Sequence, residues 1–435
     1  MVLVTMIIAA IAMVACANRM GALSPAGLLF LHLALGFVVK WIYTSSFDPH
    51  ESSLLAPFAL APNKLPWLEG LAVCAATLIS YFLLSLLFDV NINIPKFLRA
   101  PNDVSYWAYI ILSSFSMFLA VAPFIFYAVK SGGLGAAASL LSGRVVDDVE
   151  GLGYLFAIGD LGICGIIVSV HFFYQNPRAR SRFFYILSVA AGVAVLALSG
   201  GRGNLIQFLI SVFILRELSV ARLGLTVKPL VKFGIVVVAA LIIISGLTLR
   251  KANQFNESVF DVWSDVSREA ASALISPFAL IDHYALSRIY VEENGFDYGE
   301  TFLNFATKPI PRSMWPNKPE TLAIQVRRHF WGDELGGIPP GIYGEGYIAL
   351  GFVGALIISV VIGAVGVMAT RVYNQAKFDQ SLMPLCALIV PYFAFNLIRS
   401  GWDISFSRMT IYIVSMCVVY KFVVFVDGLL NSDEL

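Results

Sequence analysis

The sequence predicts an all-α, polytopic integral membrane helical bundle of about eleven spans, with one large helical loop on its outer side. Three observations predict it. Hydrophobic residues make up 58% of the 435 residues and charged residues only 13%, with a mean hydropathy of +0.80, a balance far from that of soluble domains. The apolar residues gather into runs long enough to cross roughly 30 Å of hydrocarbon. Lysine and arginine are shared unevenly between alternate loops, although the formal net charge is only +1.

The runs lie at residues 1–17, 27–43, 67–88, 106–129, 152–174, 183–199, 205–218, 233–249, 346–370, 382–398 and 404–426, the first and seventh being short. Residues 1–17 lack the basic n-region of a signal peptide and are read as the first span. With strict alternation, Arg19, Lys96, Arg99, Arg178, Arg180, Arg182, Arg216, Arg222, Lys228, Lys232, Arg371, Lys377 and Lys421 share one face. Basic residues in short loops stay cytoplasmic, so this face is the cytoplasm. The other short loops hold only Lys64, Lys130, Arg144, Arg202 and Arg399. The N-terminus is therefore expected outside and the C-terminus inside. Cys16, Cys74, Cys164, Cys386 and Cys417 all sit in apolar runs, where free cysteine acts as a small hydrophobe; no disulfide framework or thiolate metal site is indicated.

This pattern divides the chain into spans one to eight (1–250), a large outer loop (251–345) and spans nine to eleven (346–435). A loop of that length is too long to be a structureless connection. Val259, Trp263, Val266, Ala270, Ala273 and Leu274 recur at helical spacing and predict an amphipathic helix. A second helix is expected from residue 277 to 293, ending at the Asn294-Gly295 turn signal. The stretch "KPIPRSMWPNKP" at 308–319 follows, too rich in proline for helix or strand. Its stiffness lowers the entropy lost when Arg312 and Lys318 are ordered on a ligand, and Trp315 can stack on a sugar or anchor at the headgroup level.

Charges at membrane depth or at the lip of a bundle are costly and point to function. The outer arginines are Arg202 in "SGGRGN", Arg250, Arg312, Arg327, Arg328 and Arg399 in "IRSGWD". A guanidinium donates two parallel hydrogen bonds to phosphate or carboxylate and keeps its charge, so a lipid pyrophosphate is an apt guest. Glycines around Arg202 let a polyanion approach the backbone N–H groups of the helix that follows; a tight turn with a snorkelling arginine is the plainer alternative. Glu345 in "YGEGY" can act as a general base toward a hydroxyl or hold one of the arginines, and both roles stand open. His283, His329 and His50 are further base candidates, although lone histidines are more often hydrogen-bonded bystanders. Asp160 is expected as an isolated intramembrane acid satisfied by a helix–helix hydrogen bond. No spacing of ligands marks a metal site, and there is no internal repeat or nucleotide-binding glycine loop.

"IPRSMWPNKP", followed further along by "IPPGIYGEGYIALGFVGA", resembles the Wzy-type O-antigen and oligosaccharide repeat unit polymerases of bacterial envelopes. The resemblance covers residues 202–354; the earlier spans match it only in hydrophobicity. It implies a GT-C-like membrane glycosyltransferase in the bacterial inner membrane. The donor would be a growing glycan on undecaprenyl pyrophosphate and the acceptor a single repeat unit on the same lipid. Neither a cofactor nor a metal is implied, and a chain-length regulator and a flippase are the implied partners; nothing points to nucleic acid. On this chain the resemblance marks Arg202, Arg312 and Arg399 for the pyrophosphate, with Arg250 and Lys318 as second choices. Glu345, with His283 behind it, would orient or deprotonate the acceptor, and Trp315 and Tyr343 would offer sugar platforms. An O-antigen ligase acting on a lipid A core and a lipid-linked oligosaccharide transporter are the alternatives. Crowding of charge at the outer face, rather than at the midplane, weighs against the transporter.

Overall fold

The structure is a computed structural model. It describes residues 24–39, 66–87, 92–101, 104–130, 132–133, 152–175, 181–198, 202–220, 280–302, 310, 314–315, 319–332 and 338–431. The runs at 1–17 and 233–249 and the helix expected at 259–274 lie outside the described residues, as do His50, Arg250, Arg312 and Lys318.

Every regular element among the described residues is helical. In chain order these are α1 (Pro25–Leu33), α2 (Trp67–Leu87), α3 (Tyr106–Lys130), α4 (Leu152–Gln175), α5 (Ser181–Leu198), α6 (Arg202–Val220), α7 (Leu280–Asn294), α8 (Leu322–Trp331), α9 (Gly341–Ala376), α10 (Met383–Pro391), α11 (Ile398–Ser400) and α12 (Trp402–Asn431). Two π-helical turns, Ala34–Val39 and Tyr392–Leu397, follow α1 and α10. Among the described residues six segments are long and apolar enough to cross a bilayer: Trp67–Leu87, Tyr106–Lys130, Ala157–Gln175, Gly341–Ala376, Gln380–Ser400 and Ser405–Asn431. The protein is thus a helical membrane protein. Pro25–Phe37 and Arg182–Ala197 are shorter apolar helices at two further expected runs.

Local chemistry explains several of these ends. Ser24 accepts a hydrogen bond from Gly27 N–H at 3.0 Å while Pro25 opens α1, a side-chain cap followed by a residue that needs no N–H partner. Pro391 closes α10 and supplies no N–H to the ladder, and the hydrogen-bond register widens to the π form directly after it. The helix expected up to residue 293 runs from Leu280 to Asn294 and stops at Gly295, whose φ of 81° suits glycine.

The chain divides into two compact units. The first comprises Met1–Val90, Ala240–Thr370 and Phe393–Ser407, and the second Asn91–Ala239, Arg371–Tyr392 and Arg408–Leu435. In the first unit, Leu29, Phe30, Leu33 and Phe37 join Tyr284, Tyr343, Ile362 and Phe393 in one apolar core. In the second, α3 and α4 approach closely where Gly162 and Gly165 face Ala120 and Ser116, the small-residue contact that suits helices in lipid.

The sequence places the start of the ninth span at residue 346, but the helix breaks later. Leu350 (φ −144°, ψ 25°) and Gly351 (φ 64°, ψ −151°) leave the helical region, so α9 is a short arm, 341–350, and a long helix beyond the break. The arm folds back: a Cβ placed on Gly346 would lie 2.9 Å from Gly354 O and 2.7 Å from Ile358 Cγ1. In a straight helix residues 346 and 354 would stand about 12 Å apart, at 1.5 Å per residue. Only glycine accepts the backbone angles at 351 without strain, and only glycine allows the 346–354 approach. The arm also packs outward, Ile348 against Leu322 and Val326 of α8, while Asp297 N–H bonds Ile348 O at 3.1 Å.

This hairpin makes a stability prediction. Gly354→Ala drives a methyl into the Gly346 carbonyl and is expected to destabilise the protein by about 1–3 kcal/mol. Gly428→Ala, with nothing within 4 Å of the new methyl, should change stability by less than about 0.5 kcal/mol. Thermal unfolding in detergent compares the two.

Candidate functional site

Within the first unit, the α9 arm gathers ionisable side chains into an apolar core. Glu345, in the arm, is 1% exposed, and its Oε2 accepts the backbone N–H of Trp402, the first residue of α12. The first N–H groups of a helix have no partner inside it, and a carboxylate there meets both the orphan donor and the positive end of the helix dipole. Glu345 therefore caps α12 from a distant part of the chain. Gly401 leaves room for it, since a Cβ at 401 would stand 2.8 Å from Oε2.

The arm starts at Gly341, and a Cβ there would lie 3.2 Å from Ile398 O, 3.5 Å from Arg399 O and 3.9 Å from His283 Cβ. The first turn of the arm thus touches both the Arg399 turn and α7. Asp282 and His283 on α7 are buried, at 0% and 4% exposure. His32 of α1, fully buried, hydrogen-bonds with the Ala394 backbone and faces the charge of Arg399. Two π turns flank this neighbourhood, one beginning two residues after His32 and one ending two residues before Arg399. Such turns recur at functional sites.

Other side chains of α7 are tied elsewhere. Tyr284 donates to Glu69 Oε2 at 3.1 Å, and Arg288 reaches Glu69 Oε1 at 3.2 Å and Glu292 Oε1 at 3.4 Å. Burial, then the charge of Glu69, push the Tyr284 hydroxyl well above the usual tyrosine range, so it stays a donor. Its ring meets Tyr347 of the arm edge-on at 5.3 Å.

Of the residues singled out from sequence, Glu345, His283 and Arg399 are brought into one neighbourhood. Tyr343 lies in the core at 2% exposure, its hydroxyl 3.1 Å from Thr77 Oγ1 and its ring edge-on to Phe37. Trp315 is 38% exposed. Arg202 opens α6 in the second unit, its side chain beyond the described residues, and Arg250, Arg312 and Lys318 lie outside them altogether. His329 pairs with Glu293 at 2.7 Å, and Arg328 with Glu320 at 2.7 Å. His32 and Asp282 escaped the sequence reading; the available signal was an ionisable residue inside "LLFLHLALG" and "LIDHYAL". Among the described residues no three histidine, cysteine or carboxylate side chains are placed to hold a metal ion.

The second unit holds another polar cluster, and Asp160 is not isolated. Its Oδ2 lies 3.8 Å from Arg408 Nε, and Arg408 Nη1 donates to Asn204 Oδ1 at 3.2 Å. Tyr412, one turn along α12, also hydrogen-bonds Arg408. An acid in a span needs a counter-charge more than a neutral partner, and an arginine on a facing helix supplies it. Arg408, in "SFSRMTIY", was another missed residue. The start of α6, where the "SGGRGN" segment becomes helical, is thereby linked to α12 through Asn204.

No family model matches the chain, and no curated protein or solved structure matches it.

The Asp160–Arg408 pair can be tested directly. Arg408→Met alone leaves an uncompensated acid and should lower stability more than Asp160→Asn with Arg408→Met together. The double-mutant cycle in detergent is expected to give a coupling of about 0.5–1.5 kcal/mol.

Proposed function

We propose that the chain is a Wzy-type polymerase, a GT-C-like glycosyltransferase of about eleven spans that joins undecaprenyl-pyrophosphate-linked repeat units at the periplasmic face of the bacterial inner membrane. Its N-terminus would be periplasmic and its C-terminus cytoplasmic. The observation that carries this reading is the meeting of Glu345, His283 and Arg399 at the α9 arm, within the "GIYGEGY" motif that resembles that family. Buried ionisable groups in a membrane bundle mark function by default, and here they share a neighbourhood with an arginine suited to a diphosphate.

In this reading the acceptor hydroxyl attacks the anomeric carbon of the donor, the bond from that carbon to the pyrophosphate oxygen breaks, and the lipid diphosphate leaves with that oxygen. Arg399 stabilises the charge that develops on the leaving group, with Arg312 as a further candidate and Arg250 and Lys318 as second choices. His283 receives the acceptor proton. Glu345 orients rather than deprotonates, because its carboxylate is already an acceptor for the α12 N-terminus, three residues beyond Arg399. Trp315 keeps the role of sugar platform, and Tyr343 serves the core.

A lipid-linked oligosaccharide transporter is the second reading, favoured by the broken helix α9 with buried ionisable groups beside the break. Purified protein in proteoliposomes with lipid-linked repeat units alone separates the readings. A ladder of longer glycans is expected; redistribution of lipid across the bilayer without a ladder indicates the transporter, and product only on adding core lipid indicates a ligase.

Two substitutions refine the roles. Arg399→Lys and Arg312→Lys should each lower ladder formation by more than about tenfold with expression unchanged, since a point charge loses the two-pronged phosphate grip. Glu345→Gln keeps a carbonyl oxygen for Trp402 N–H and should retain at least about a third of the activity, whereas Glu345→Ala should lose more than about tenfold. Equal loss in both would assign Glu345 to proton transfer instead.

A further inference from the structure

The second unit carries an open cavity of about 690 Å³ where the segment 93–101 meets residues 379–381. The segment ends shortly before the α3 span, and residues 377–379 join two candidate spans. Chain connectivity alone therefore holds this cavity near the boundary between hydrocarbon and water.

Its walls are fixed. Ala100 N–H bonds Ser381 O at 2.8 Å, and Gln375 Nε2 donates to Ile92 O at 3.1 Å. Arg99 Nη1 lies 2.9 Å from Asp379 Oδ2 while its Nε donates to Ile94 O at 3.3 Å. The other Asp379 oxygen accepts both Ser381 Oγ, at 2.6 Å, and Ser381 N–H, at 3.0 Å. Among the described residues, the only carboxylate lining the cavity is thus occupied, and the cations lining it, Lys96 and Arg99, exceed it by one. Beside the cavity stand Phe97, 61% exposed, and Phe378, 91% exposed, with Lys377 next to Phe378. Phenyl rings this bare, each adjoining a lysine, suit the interface, where apolar rings enter the acyl region and ammonium groups reach the headgroups.

We propose that this cavity binds the phosphate headgroup of an anionic phospholipid, with Lys96 and Arg99 meeting the phosphate and Phe97 and Phe378 seated in the adjoining acyl layer. Free phosphate offers the same charge but leaves the two rings in water, and a zwitterionic lipid offers the acyl layer but cancels the charge. The basic residues put this loop on the face expected to be cytoplasmic, where the leaflet carries anionic lipid. Binding here is independent of the reaction at the α9 arm.

The test uses the full chain, purified in a zwitterionic detergent, with phosphatidylglycerol, phosphatidylcholine or inorganic phosphate added separately, read by melting temperature and by native mass spectrometry of retained lipid. Phosphatidylglycerol is expected to raise Tm by at least about 3 °C and to remain bound, with the other two giving less than a third of that shift. Lys96→Gln with Phe378→Ser should remove more than half of the effect, and it spares the Arg99–Asp379 pair. An equal shift with phosphatidylcholine, an equal shift with inorganic phosphate, or full retention of phosphatidylglycerol by the double variant overturns the proposal. Should that variant melt early without lipid, Lys96→Gln alone, at an exposed position, supplies the same comparison by mass spectrometry.

Discussion

Gly346 and Gly354 touch because the chain reverses at Leu350 and Gly351, and the apolar core of the first unit is arranged around that contact. The reversal turns what would be one continuous helix into an arm and a span. The arm carries Glu345 down to the Gly401–Trp402 turn, Tyr347 to Tyr284, and Ile348 to α8. In lipid the hydrophobic effect does little to press helices together, so van der Waals fit and internal hydrogen bonds carry more of the load. Two facing glycines provide the first, and the carboxylate cap on α12 provides part of the second.

Each unit deals with buried charge by giving it a partner, in a different manner. In the first, Glu345 meets a helix N-terminus. In the second, Asp160, Arg408 and Asn204 tie three helices together. A dipole end is a fixed donor that costs no second ion, whereas the ion pair demands desolvation of both groups. The first arrangement leaves Arg399 partly exposed at the edge of the cluster.

Much of the architecture was legible in the residues. The runs at 67–88, 106–129, 152–174, 382–398 and 404–426 stand as helices with similar limits, because twenty apolar residues have few other ways to satisfy their backbone in a bilayer. The α7 stop at Asn294 and Gly295 was legible for the same local reason, a residue that tolerates a positive φ. The break at 350 was not. "GYIALGFVGALII" keeps its apolar character across the turn, and hydropathy is blind to backbone direction. The candidate site was legible in part: Glu345, His283 and Arg399 could be named as unusual, but His32, Asp282 and Arg408 hid inside runs whose average was apolar. Tyr343, next to Glu345 but one in the same motif, faces the core because successive positions on a helix point about 100° apart.

The sequence by itself determined that this protein lives in a membrane, that its elements are helices, and which charged residues are expensive enough to need a reason. Those are consequences of composition and of local backbone chemistry, and they hold residue by residue. Only the tertiary structure decided which of the charges are neighbours: that Glu345 caps α12, that Arg399 faces His32, and that Asp160 has Arg408. Such pairings join positions separated by tens to hundreds of residues. They depend on where chain reversals and glycine contacts bring the helices, and no local pattern encodes that distance.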